Sequence, residues 1–250
     1  MHRLNIALVL VSLLATAQST ELFGFPLRTE ALPREVANYV SKTIWVRGKV
    51  SLSCQETGLS SAERIFFTSP AQSFLIQNIY LVDIPKDFYP AIAFNGGTAH
   101  PMDRSALKLD SAFLVLLESA TPLKPAGLIN SSDIPIDDPR YLCQTFYSLI
   151  VPEAVYLQRA FSFTSPQEAA RKHGWTSEQL ATVLEARTSH ITEGLTREMV
   201  LWLRGWPLDP LELSEALIAD TWIYRGVVPL SLTLHFENDK VASFEEGKLP

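Results

Sequence analysis

Apolar and polar residues alternate most cleanly towards the C-terminal end of the chain. Leu230, Leu232, Leu234 and Phe236 fall on one strand face, with Ser231, Thr233 and His235 on the other. Trp222 and Tyr224 share a face of the preceding run. Glu237, Asn238, Asp239 and Lys240 supply polar turn chemistry, and residues 241–244 return as a partner strand. The pattern predicts a half-buried antiparallel sheet. A helical period precedes it. Thr196 is placed to N-cap a helix, with Leu195 before it and Val200 four positions in, the spacing of a hydrophobic staple. Glu198 in the first turn and Arg204 in the last lie where the helix dipole favours them, Gly205 follows as a C′ residue, and Pro207 stops continuation. A second helix is predicted within residues 166–187, where Thr176 and Gln179 form a capping box and Trp175 and Leu180 a second staple. Gly174-Trp-Thr-Ser-Glu178 and Gly194-Leu-Thr-Arg-Glu198 thus repeat one pattern twenty residues apart. The repeat reads either as a duplication or as two helices that begin alike.

The first half has a shorter rhythm. Residues 43–46 and 49–52 read as a hairpin around Arg47 and Gly48. Residues 64–68, 73–76 and 79–82 are short β-branched and aromatic runs between proline punctuation. Asn95 and Gly96 between apolar segments signal a further hairpin, and residues 112–117 a central strand. Together they predict a small barrel or sandwich from about residue 39 to 118, whose strand order loosely resembles bacterial SH3-like barrels. Pro122, Pro125, Pro135 and Pro139 mark residues 121–140 as a linker. Residues 141–160 are apolar and aromatic, and periodicity leaves strand and helix both open. The fold class expected is α+β: a β domain over residues 18–120, the linker, and an α+β domain over residues 141–250 in which a helical pair packs on an antiparallel sheet.

Composition changes the picture mainly at the N-terminus. Arg3, an apolar run from residue 6 to 15 and the small-x-small triplet Ala15-Thr16-Ala17 predict a signal peptide over residues 1–17, cut after Ala17 or, as second choice, after Ser19. A buried N-terminal helix or strand is the alternative. No later apolar stretch reaches 18 residues, so no stable membrane insertion is expected after cleavage. The expected location is periplasmic or secreted. With 47% hydrophobic and 19% charged residues the chain has the balance of a folded protein, and its formal net charge of −6 without any basic run argues against a nucleic-acid partner. Its two cysteines, Cys54 and Cys143, form one disulfide or remain two separate buried thiols.

Candidate chemistry is sparse. Neither a Gly-rich phosphate loop nor a Gly-x-Ser-x-Gly elbow is present. His100, His173, His190 and His235 are scattered, without the spacing of a metal pair on one element. Asp133, Asp137 and Asp138 miss the calcium-loop spacing and read as a solvated acidic stretch, and Asn130-Ser131-Ser132 is a bare glycosylation pattern. His100 with Asp103 is the single acid/base pair to consider, against a polar hairpin tip. No catalytic residue, metal or cofactor is assigned. Trp202, Trp206, Trp222 and Tyr224 cluster within 23 residues. They either pack a small core or leave Trp206 and Trp222 partly exposed as anchors for a protein partner. In the second case Trp206, Trp222, Tyr224 and His235 form the partner-binding set.

Gly194-Leu195-Thr196-x-Glu198-x-Val200, Gly205-x-Pro207, Trp222-x-Tyr224 and Phe236-x-Asn238-x-Lys240-Val241 resemble the SmpA/OmlA (BamE-like) family of small bacterial envelope domains. The likeness covers about the last 55 to 75 residues. It implies a helical pair on an antiparallel sheet and a role in protein contacts, with no catalytic residues to carry over. The expected function is a non-catalytic interaction or assembly module with an envelope or secreted protein partner. A secreted hydrolase inhibitor is the alternative. A small-ligand carrier or enzyme built on the N-terminal β region is a further one.

Overall fold

A computed structural model describes residues 21–48, 50–54, 65–68, 71–84, 110–123, 142–185, 191–207, 213–225 and 230–248. Its largest element is a seven-stranded antiparallel sheet. In chain order the strands and helices of this part are β1 (Glu21–Leu22), β2 (Phe25–Pro26), α1 (Arg34–Ala37), β3 (Thr43–Val46), β4 (Ser51–Cys54), β5 (Ile65–Phe67), β6 (Ser73–Asp83), β7 (Ser111–Leu123), β8 (Cys143–Ile150), α2 (Ala154–Ala160) and β9 (Phe161–Ser162). The sheet runs β5-β4-β8-β7-β6-β3-β9, while β1 and β2 make a separate small ribbon.

The central strands are apolar on both faces, and a core lies on each side. Phe113, Val115 and Leu117 of β7 point into the larger core with Phe146 and Ile150 of β8, Val36 of α1 and Leu157 of α2. Ala112 and Leu114 point the other way with Tyr147 and Leu149. In β6, Phe74 and Ile76 face the larger core, the register slips between Ile76 and Asn78, and Ile79 then faces it. One bulged residue inverts the side-chain alternation, which lets Val82 reach the smaller core on the sheet's other face.

Strands β3 and β4 do not form the predicted hairpin. β3 pairs with β6 and β9, and β4 with β5 and β8. They stand four strand spacings apart in the sheet, about 19 Å if it were flat. The connection from Val46 to Ser51 spans at most about 18 Å when fully extended, so the sheet must curl. The curl brings the β5–β6 connection alongside: Thr68 N donates to Val50 O at 3.0 Å and Ala71 N to Val46 O at 2.9 Å.

Residues 143–162 also differ from expectation. The undecided segment is a strand followed by a helix, and β8 sits between β4 and β7 in the first sheet, not in the C-terminal part. The expected domain boundaries at residues 120 and 141 are therefore corrected. β7 runs through Pro122 to Leu123, and the residues up to β8 connect two neighbouring strands of one sheet.

The C-terminal part holds α3 (Pro166–His173), α4 (Ser177–Leu184), α5 (Arg197–Arg204), α6 (Leu213–Ile218), β10 (Thr221–Arg225), β11 (Leu230–Glu237) and β12 (Lys240–Lys248). Its strands form an antiparallel sheet in the order β10-β11-β12. The predicted alternation holds: Leu232, Leu234 and Phe236 are buried, and Ser231, Thr233 and His235 are half-buried on the opposite face. Asn238 and Asp239 take positive φ of 51° and 64°, giving a two-residue turn in which the short polar side chains tolerate the left-handed region. Both expected helix starts form. Thr176 Oγ1 accepts from Gln179 N while Gln179 Oε1 accepts from Thr176 N, and Thr196 Oγ1 accepts from Met199 N. The architecture is α+β, as the sequence implied.

Helix α5 is the centre of the second large core, that of the C-terminal part. Met199, Val200, Leu201, Trp202 and Leu203 are all buried, so no side of the helix is left to solvent. One flank meets the first sheet at the β3–β4 crossing. Gly48 N donates to Trp202 O at 2.9 Å, and Trp45 and Ala71 pack against the second core.

Candidate interaction site

The expected anchor residues lie inside. Trp222 is fully buried, and its Nε1 donates to Ala216 O at 2.7 Å, which holds α6 to the sheet. Its ring meets Phe236 edge-on at 4.7 Å. Tyr224 Oη donates to Gly205 O at 3.0 Å and so fixes the end of α5; burial pushes its phenol well above the ordinary value. Trp206 is 2% exposed and has the buried Arg159 guanidinium 5.9 Å from its ring. The expectation that Trp206 and Trp222 remain partly exposed is thus corrected. Their strand face and loop are the surfaces on which α5 and α6 lie, and these rings brace the helices.

His235 is placed differently. It sits on the outer face of β11, half-buried and directly across from Thr221, whose Oγ1 is 3.2 Å from its Nδ1. His173 is exposed at the end of α3, with its ring 6.4 Å from that of Trp175. Cys54 and Cys143 are joined as a disulfide between β4 and β8, with Cα atoms 5.9 Å apart. Residues 1–17, the Asn95 and Gly96 hairpin, His100, Asp103, Asn130, Asp133, Asp137, Asp138 and His190 lie outside the described residues.

Two polar constellations were not singled out from the sequence. At the crossing, Arg47 pairs with Glu198 at 3.1 Å and lies 5.8 Å from the Trp202 ring; burial lowers its pKa and Glu198 opposes that shift. In the C-terminal part, buried Arg197 donates to Ala219 O at 2.9 Å, reaches Asp220 at 3.4 Å and Asp239 at 3.7 Å, and lies over the Phe236 ring at 4.5 Å. Sequence did carry one signal for the second. A cation in the first turn of a helix opposes the dipole and calls for anionic partners of its own. Both pairs act as braces between elements.

Among the described residues, the C-terminal part presents a polar sheet face and a few apolar side chains to solvent. Thr221, Ile223, Ser231, Thr233 and His235 form the half-buried outer face of β10 and β11. Leu217 and Ile218 at the end of α6 are 51% and 78% exposed, and Phe244 on the edge strand β12 is 40% exposed. Among the described residues no group of three His, Cys, Asp or Glu side chains is arranged to hold a metal ion, and no helix is long and apolar enough to cross a membrane. No protein-family model, curated protein or solved structure matches the chain.

Proposed function

We propose that this chain is an exported, non-catalytic contact module that binds an envelope or secreted protein through its C-terminal part. The observation that carries the reading is the exposure of Leu217 and Ile218. Adjacent aliphatic side chains left in water on a helix end, three residues before the polar pair Thr221 and His235, are the kind of apolar anchor with a polar rim that protein partners bury. The Cys54–Cys143 disulfide supports an oxidising compartment, periplasmic or extracellular, together with the leader-like N-terminus. The likeness of the C-terminal motifs to SmpA/OmlA domains supports a role in contact and assembly.

The test is capture from envelope extract on the immobilised protein. The wild type should retain a defined component that the Leu217→Asp/Ile218→Asp variant retains at least about tenfold less, while Ser243→Asp behaves like wild type. Equal recovery by all three proteins rejects the role of this surface. Trp206→Ala and Trp222→Ala are unsuitable probes, because both rings are core residues.

A further inference from the structure

The second face of the first sheet is covered, among the described residues, by the N-terminal segment 21–28. This strap is a minimal hairpin. Its strands are two residues each, paired Glu21 with Pro26 and Leu22 with Phe25. Its turn places Phe23 at φ 55° and Gly24 at φ 79°. Glycine adopts that region freely, but a bulky residue there is strained. Pro26 has no N–H to add to the ribbon.

The contacts of the strap show what the face recognises. Phe23 stacks on Tyr147 with centroids 4.7 Å apart, and Phe25 meets the same ring edge-on at 6.5 Å. Phe25 is buried against Val82, Leu114 and Leu149. Leu27 then forms an isolated antiparallel bridge to Val82, Arg28 N donates to Leu81 O at 2.9 Å, and the Arg28 side chain pairs with Asp83. The strap therefore uses a sheet edge as well as a face. β3 occupies that edge of β6 only at residues 73–75, and Leu27 and Arg28 take its far end. After Arg28 the chain leaves through exposed Thr29, Glu30 and Ala31.

We propose that segment 21–28 is an exchangeable strap, and that the face and edge it covers accept the strap of a second copy of this chain. An aromatic-x-aromatic-x-aliphatic-Arg sequence is the ligand, and strap 21–28 itself meets that description residue by residue. Exchange keeps every contact to Tyr147, Val82 and Asp83. It needs only the exposed link after Arg28 to swing out, as in other swapped assemblies. Opening also releases the Phe23 turn, and segments with few ladder pairs open at the low end of the local stability range.

The experiment uses the full chain and a labelled peptide of residues 21–28. Full-length protein carrying Phe25→Ala, whose own strap is weakened, should bind the peptide saturably and at least tenfold tighter than the wild type, whose strap competes. A scrambled peptide should not bind. Equal binding to both proteins, or equal binding of the scrambled peptide, overturns the proposal. The wild type supplies a second measurement that needs no variant. Its sedimentation-derived mass should rise towards that of a dimer with concentration, and the amide of Arg28 should exchange with solvent well before those of residues 114–117. A chain that stays monomeric at every concentration, or a strap as protected as β7, overturns it as well.

Discussion

Gly48 sits at a close backbone approach in the molecule's seam. A Cβ at this position would lie 2.5 Å from the Arg204 carbonyl carbon and 2.6 Å from Gly205 N, and its φ is 66°. Backbone on both sides leaves nothing flexible to yield. Gly48→Ala is expected to cost about 3 kcal/mol, measured by urea unfolding, through both strain and displacement of α5. The neighbouring Arg47–Glu198 pair follows the same logic of enclosure, since a buried guanidinium is tolerated only beside its carboxylate. Tyr224 makes a pH-dependent contribution of known sign. Its folded pKa lies above the unfolded value of 10.0, so the native state holds the phenolic proton more tightly. That stabilisation is complete below pH 10 and fades as pH rises towards the folded value. Tyr224→Phe should cost about 1 kcal/mol at pH 8, and the difference from wild type should narrow at pH 10.5, read as urea midpoints.

Helices α4 and α5 begin with the same cap chemistry but stand in different surroundings, and the consequences separate at this scale. Thr196→Ala and Thr176→Ala each remove an N-cap acceptor, at about 1 kcal/mol. α5 is enclosed by the second core, so the loss of Thr196 should lower global stability. α4 exposes Leu184 and buries only Val183, so the loss of Thr176 should appear as faster amide exchange within residues 177–184. A global shift of equal size in both variants would contradict this. These helices, the β10–β12 alternation and the Asn238 and Asp239 turn were legible in the sequence because each signal is local. The pairing of β3 and β4 was not. Arg47 and Gly48 between two β-prone runs look the same whether the runs pair or part, and what parts them is α5, some 150 residues away. The segment after residue 141 was ambiguous because an apolar strand and an amphipathic helix follow one another there, broken only at Pro152. Whether Trp206 and Trp222 are exposed was not legible for a related reason: alternation puts Trp222 and Tyr224 on one face but does not say that α5 and α6 cover that face.

The whole molecule is tied across its sheet by the single disulfide. Cys54 and Cys143 are 89 residues apart, and closing a loop of that length restricts the unfolded chain by about 4.5 kcal/mol in the entropic account. The Cys54→Ser/Cys143→Ser variant should unfold at correspondingly lower urea, with the same loss on reducing the wild type. Among the described residues the ladder between β4 and β8 contains two residue pairs, so the β4–β5 ribbon should be the first part to loosen. The Gly48 seat on α5 has one more implication, for synthesis. The loop at residue 48 meets its partner only when residues 202–205 exist, and β3 gains its outer neighbour only at residues 161–162. A ribosome adding about 5–20 residues per second will have made four-fifths of these 250 residues before the loop at residue 48 can seat on α5, although every strand of the first sheet exists by residue 162. Until then that loop lacks its seat on α5, the state that a chaperone would meet.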